Sequence, residues 1–73
     1  MATIRVKSDI SGMISKIVAK VGDQVAEDDV LILLESMKME IPLTAPRAGR
    51  VTAISAVEGE TVAEGEVLVH LES

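Results

Sequence analysis

Short apolar segments separated by turn-forming residues recur along the whole chain. Apolar and charged residues alternate at 4–7, a period of two that predicts a strand with one buried face. Further apolar, β-branched segments predict strands at 13–19, 24–25 and 30–34. The last of these runs is unbroken, which predicts burial on both faces or nearly so. Clusters rich in Gly, Asp and Ser lie between the segments and predict turns.

Residues 11–36 are repeated 37 positions later, as residues 48–73. Twelve of the 26 aligned positions are identical, whereas average composition would give about two by chance. Repetition at a fixed period indicates repeated structure, and two copies favour a closed pair over an extended solenoid. We therefore expect one domain over residues 1–73, with two similar halves at about 1–36 and 38–73.

Each half contains about four short strands, so the pattern predicts an all-β protein of about eight strands. Apolar residues at 30–41 also fit helical spacing, but the repeat of this segment at 67–73 has strand composition. We expect a flattened barrel or sandwich of two four-stranded antiparallel sheets related by a pseudo-twofold axis. Pro42 predicts an edge strand, because it lacks an amide donor. The repeat aligns Lys38 with Met1, which places the chain ends together, opposite the turn between the halves.

That turn contains Met37, Lys38 and Met39, and it departs from the usual composition of a tight hairpin. Two-residue hairpin turns require positive φ and favour Asn-Gly or Asp-Gly. The other predicted turns do contain such residues, namely Gly22, Asp28, Gly59 and Gly65. A local rule broken at one point of a consistent sequence indicates a functional constraint. Lys38 is therefore the candidate functional residue, and the methionines are candidate contacts for a partner; the alternative is a solvated lysine beside core methionines.

Composition narrows the function classes. The net charge of −5, without a basic block or any aromatic residue, argues against nucleic-acid binding. Cysteine is absent and the single His70 aligns with Leu33, so we expect a structural histidine and no metal site. No nucleophile–base pair is visible, so we expect no catalytic residue. No apolar run reaches the roughly 20 residues of a membrane span and no signal peptide is visible, which predicts a cytoplasmic protein without a membrane partner.

Residues 35–42, Glu-Ser-Met-Lys-Met-Glu-Ile-Pro, resemble the biotin-attachment motif of biotinyl domains, the carrier parts of biotin-dependent carboxylases. Residues 45–49, 58–60 and 62–65 resemble the second half of the same family. The resemblance implies that Lys38 is covalently biotinylated by a biotin protein ligase that acts through biotinyl-adenylate. It also implies a non-catalytic carrier that moves a carboxyl group between the sites of a biotin carboxylase and a carboxyltransferase.

The same resemblance assigns expected roles around Lys38. Met37 and Met39 are expected to be recognised by the ligase and to favour biotin over lipoate, because related lipoyl domains usually carry Asp-Lys-Ala at the tip. Glu40, which aligns with Thr3, is the stronger candidate for ligase specificity. Glu35 is the weaker candidate, because the repeat places an equivalent acid far from the tip.

Two departures from the family leave the parent carboxylase open. Residues 8–12 lack the prolines of the family's Met-Pro-Gly turn, and no thumb-like loop is inserted.

Two alternatives to a biotin carrier remain at this point. One is a lipoyl carrier, and the other is an unmodified interaction module that contacts a partner through its tip methionines.

Overall fold

The computed structural model describes residues 2–73, which form eight β-strands. They are β1 (Thr3–Lys7), β2 (Gly12–Ile17), β3 (Gln24–Val25), β4 (Val30–Ser36), β5 (Met39–Thr44), β6 (Gly49–Ile54), β7 (Thr61–Val62) and β8 (Val67–Glu72). Within these described residues, no helix is long and apolar enough to span a bilayer. The all-β class and the number of strands are as predicted.

The strands form two antiparallel four-stranded sheets, in the orders β1-β8-β6-β3 and β5-β4-β2-β7. Exchanging every strand for its counterpart in the repeat converts one order into the other, so the predicted pseudo-twofold relation is confirmed. Each sheet takes two strands from each half, and the halves are therefore interwoven. Pro42 lies in β5, at the edge of its sheet, where the missing amide interrupts no ladder.

One aliphatic core lies between the sheets, and it follows the repeat residue by residue. Its seven equivalent pairs are Val6/Leu43, Ile14/Val51, Ala19/Ala56, Val25/Val62, Leu31/Leu68, Ile32/Val69 and Leu34/Leu71. A further buried pair is Ala45 with Ser8, whose hydroxyl donates to the carbonyl of Ile10 at 2.6 Å. Burying these side chains supplies the main free energy of folding, and both sheets contribute to it equally.

The prediction that β4 is buried on both faces is only partly correct. Leu31, Ile32 and Leu34 are fully buried, but Leu33 is half-buried and Val30 is 38% exposed. A two-layered protein gives each strand a single inward face. The neighbours Leu31 and Ile32 both point inward because the pairing with β5 shifts register between Val30 and Ile32, at a bulge.

The turns away from the tip follow the predicted chemistry. Gly22 and its equivalent Gly59 have φ of 98° and 91°. Asp28 and its equivalent Gly65 have φ of 73° and 87°. Glycine adopts this left-handed region without steric cost, and Asp is among the residues that tolerate it. Turn geometry is thus repeated along with the core.

Two equivalent glycines allow strands to approach closely. A Cβ on Gly12 would lie 2.7 Å from the carbonyl oxygen of Glu35, and one on Gly49 would lie 3.0 Å from that of Glu72. The strands β2 and β6 therefore begin directly against the last residues of β4 and β8. Gly12 lies against the end of β4 next to the β4–β5 turn, which carries Lys38.

The two ends of the described chain lie side by side. The amide of Ala2 donates to the carbonyl of Ser73 at 3.2 Å, and the amide of Ser73 donates back at 3.0 Å. Val62 of β7 pairs with Gly12, near the hairpin tip, and the turn after β7 leads into β8, which runs away from the tip. The chain ends therefore lie at the opposite end of the sheets from the tip. Met1, the position aligned with Lys38, lies outside the described residues.

We expect Gly12→Ala to lower the free energy of unfolding by about 1–3 kcal/mol, because the methyl group collides with a main-chain oxygen. Gly49→Ala should cost less, because a Cβ there would lie farther from the nearest main-chain oxygen. Urea unfolding followed by far-ultraviolet circular dichroism measures both, since the chain has no Trp or Tyr for fluorescence. An equal or larger loss for Gly49→Ala would contradict this ranking.

Candidate functional site

The β4–β5 hairpin fixes the position of Lys38. Ser36 pairs with Met39 across the two strands, so the connecting loop contains two residues, Met37 and Lys38. The pairing continues down the hairpin to Val30, which holds the loop on a rigid two-stranded base. A loop of two residues leaves little freedom for its backbone, and the main chain at Lys38 is therefore held in one conformation.

Both loop residues lie in the left-handed region of the backbone. Met37 has φ of 52° and Lys38 has φ of 66°. Positive φ at both central residues is the mark of a type I′ turn, whose twist matches that of the flanking strands. For a residue with a Cβ this conformation costs roughly 1–2 kcal/mol. The prediction of a turn with the wrong residues for its geometry is confirmed, and the hairpin tip is strained.

The side chains at the tip project into solvent. Met37 is 91% exposed and Met39 is 61% exposed. Lys38 is also exposed. A core role for these methionines is wrong, since neither belongs to the buried cluster. The tip is therefore a flexible amine between two apolar thioethers, carried on a stiff support.

Two carboxylates stand behind the tip on the outer face of the sheet. Glu35 and Glu40 are direct cross-strand partners, and both are exposed. Met13 lies on the other side of Glu35, so no cationic side chain pairs with either acid from these three strands. Like charges placed directly opposite each other destabilise a sheet. The two acids therefore repel each other across the hairpin.

The equivalent row at the other end of the molecule has different chemistry. There Glu72 lies between Thr3 and Arg50. At the end without Lys38, the acid Glu72 thus lies beside the cation of Arg50. At the end with Lys38, the acids Glu35 and Glu40 lie side by side. This pairing of Glu35 with Glu40 is missed when each acid is weighed separately. Counting back from a two-residue turn at 37–38 gives the pairing directly.

His70 lies away from the tip, half-buried on the outer face of the other sheet. It is paired with Arg5 on β1 and Ala53 on β6, and its carbonyl accepts the Thr52 hydroxyl at 3.2 Å. Over residues 2–73 there is no cluster of three or more His, Cys, Asp or Glu side chains that could hold a metal ion. The chemistry available at the tip is therefore that of an exposed amine.

Known proteins share both the sequence and the architecture of this chain. It is 50% identical over 44 residues to the biotinylated protein TB7.3 homolog of Mycobacterium leprae, and the match covers 60% of this chain and 62% of that protein. It is 43% identical over 44 residues to the biotin/lipoyl attachment protein of Bacillus subtilis, covering 60% of each. The matches thus span about three-fifths of the length of these relatives.

Solved structures extend the similarity to nearly the whole fold. The urea carboxylase of Kluyveromyces lactis matches with a TM-score of 0.93 and 30% identity, over 99% of this chain and 6% of that one. A single-chain, multi-domain long-chain acyl-CoA carboxylase matches with a TM-score of 0.87 and 26% identity, over 97% of this chain and 7% of that one. A sequence profile of the Biotin_lipoyl family, described as "Biotin-requiring enzyme", matches residues 5–71. The chain therefore belongs to the Biotin_lipoyl family.

Proposed function

We propose that this protein is a biotin carboxyl carrier and that Lys38 is the residue to which biotin is attached. The observation that carries the proposal is the tip itself, an exposed amine held by a strained two-residue turn between two exposed methionines. Exposure alone does not distinguish this amine, because Lys7, Lys16 and Lys20 are also exposed. Lys38 differs from them in lying in the two-residue loop of the hairpin, with a left-handed backbone.

The tip fits an attached arm in several respects. Lys38 is exposed, and the rigid hairpin keeps its amine clear of the barrel. In the ligase, the Nζ atom of Lys38 would lose a proton to a base, attack the acyl carbon of an activated biotin and form an amide bond as the adenylate leaves. Once attached, biotin supplies the chemistry of carrying a carboxyl group between a biotin carboxylase and a carboxyltransferase.

The similar proteins support carboxylase partners and biotin as the prosthetic group. Two similar structures are those of a urea carboxylase and a long-chain acyl-CoA carboxylase, which favours carboxylase partners for this chain. The relatives include proteins named as biotinylated, which favours biotin as the prosthetic group. A biotin protein ligase as the modifying enzyme, and a cytoplasmic location without membrane or nucleic-acid partners, stay predictions from the sequence.

Biotinylation of one lysine is the direct test of the proposal. After incubation with biotin, ATP and a biotin protein ligase, we expect the intact mass to rise by one biotin group. Lys38→Arg should show no gain, because a guanidinium is not nucleophilic under these conditions. Lys20→Arg is the matched control, since it removes another exposed lysine from a turn, and it should be modified normally.

Modification of Lys38→Arg would overturn the assignment of the site. Absence of a gain on the unaltered chain, with folding shown by circular dichroism, would overturn the biotin carrier. The same samples treated with lipoate, ATP and a lipoate ligase would then show whether the tip carries lipoate.

The strained turn predicts a conflict between stability and function. Replacing Met37-Lys38 by Asn-Gly should raise the free energy of unfolding by about 1 kcal/mol or more, because these residues suit a type I′ turn. The same change removes the attachment amine and should abolish biotinylation. Lys20→Gly is the control, because Lys20 is not among the residues with positive φ, and it should lower stability. A loss of stability in the Asn-Gly variant would show that the turn is unstrained.

The acidic pair predicts a separate electrostatic effect. We propose that Glu35 and Glu40 contribute to ligase specificity by attracting a basic surface of the ligase. Glu35→Gln and Glu40→Gln should each raise stability by about 0.2–1 kcal/mol, because they remove the cross-strand repulsion. Both should lower kcat/KM for biotinylation several-fold at low ionic strength, with a smaller difference at high salt. Glu72→Gln, at the far end, is the control and should leave this rate unchanged.

A further inference from the structure

Within residues 2–73, methionine lies at the surface and not in the core. The buried cluster contains only Val, Ile, Leu and Ala. The three methionines within residues 2–73 are Met13, Met37 and Met39, and their exposed fractions are 36%, 91% and 61%, respectively. A thioether that packs against nothing contributes little to stability. Its placement on both sides of Lys38 is therefore explained by contact with partners or by the reactivity of sulfur.

An exposed thioether is open to two-electron oxidation by a hydroperoxide. With hydrogen peroxide, the O–O bond breaks, sulfur takes one oxygen atom to form the sulfoxide, and the other oxygen atom leaves as water. The product is polar and chiral, and methionine sulfoxide reductases return it to the thioether. Because reaction requires access to sulfur, the exposures predict an order in which Met37 reacts first and Met13 last.

The position of the two exposed sulfurs gives this oxidation a consequence. Met37 adjoins Lys38 within the two-residue loop, and Met39 is the first residue of the strand that follows. Any enzyme that receives the Lys38 amine must therefore cover one or both thioethers. A sulfoxide oxygen covered by an apolar surface loses its hydration without gaining a hydrogen bond, which weakens the complex.

We propose that Met37 and Met39 form a reversible oxidation site that controls the modification of Lys38. Peroxide converts the apolar contacts on both sides of the amine into polar ones, and docking of the ligase is lost until a reductase restores them. The inference rests on the proposed function, because its effect is exerted on the attachment of biotin. Met13 lies within its sheet, paired with Glu35 and Thr61, and has no part in the control.

The order of oxidation is the first test, and it needs no ligase. The folded chain is treated with hydrogen peroxide, and peptides are mapped by mass spectrometry at successive times. We expect Met37 to gain oxygen faster than Met39, and both to do so several-fold faster than Met13. Oxidation of Met13 at the rate of Met37 would overturn the inference, because the tip would then have no special susceptibility.

The effect on modification is the second test. For the unaltered chain, kcat/KM for biotinylation should fall at least about tenfold after peroxide treatment, and methionine sulfoxide reductases should restore it. Met13→Leu keeps both tip methionines and should show the same fall. The double variant Met37→Leu and Met39→Leu has side chains of similar volume that peroxide does not oxidise. Whatever its own starting rate, that rate should be the same before and after treatment.

The outcomes separate this inference from the proposed function. Equal rates for the oxidised and unoxidised chain overturn the oxidation site and leave the carrier intact. A fall in the double leucine variant also overturns it, because peroxide would then act elsewhere. If the unoxidised chain accepts no biotin, the proposed function fails and the control of Lys38 fails with it.

Discussion

Each sheet of this protein has one apolar face, and only the other sheet can cover it. With no aromatic residue available, the core is assembled from aliphatic side chains that meet in equivalent pairs across the pseudo-twofold axis. Each sheet also contains strands from both halves of the chain. Neither half can therefore keep its structure without the other. This mutual burial holds the β4–β5 hairpin rigid, and the position of the lysine depends on that rigidity.

Much of the architecture could be predicted from the sequence, because each local pattern occurs twice and an ambiguous segment can be interpreted from its second copy. The strand after Gly65 resolved the helix-or-strand ambiguity of β4, and Pro42 identified the edge. The burial of both Leu31 and Ile32 could not be predicted, because a bulge is a property of pairing between strands. The close approach of Gly12 to Glu35 was equally hidden, since it depends on the packing of one strand against the end of another.

The site was predictable for a related reason, as the point where local chemistry and the expected turn disagree. Met37 and Lys38 have the wrong composition for a two-residue loop, and they adopt its left-handed backbone nonetheless. The free energy cost of this backbone conformation is offset by the burial of aliphatic side chains in the core. What sequence alone left open was whether the methionines face the core or the solvent. Their exposure decides this, because it makes the tip a contact surface.

The pairing of Ala2 with Ser73 repeats the geometry of the hairpin that holds the lysine. These residues are the repeat equivalents of Met39 and Ser36, which close the hairpin around the lysine. Two residues linking Ser73 to Ala2 would therefore close a second two-residue corner, and the backbone would become a ring with two equivalent corners. The two ends of the fold thus share one backbone arrangement, and a partner that distinguishes them must do so by their side chains.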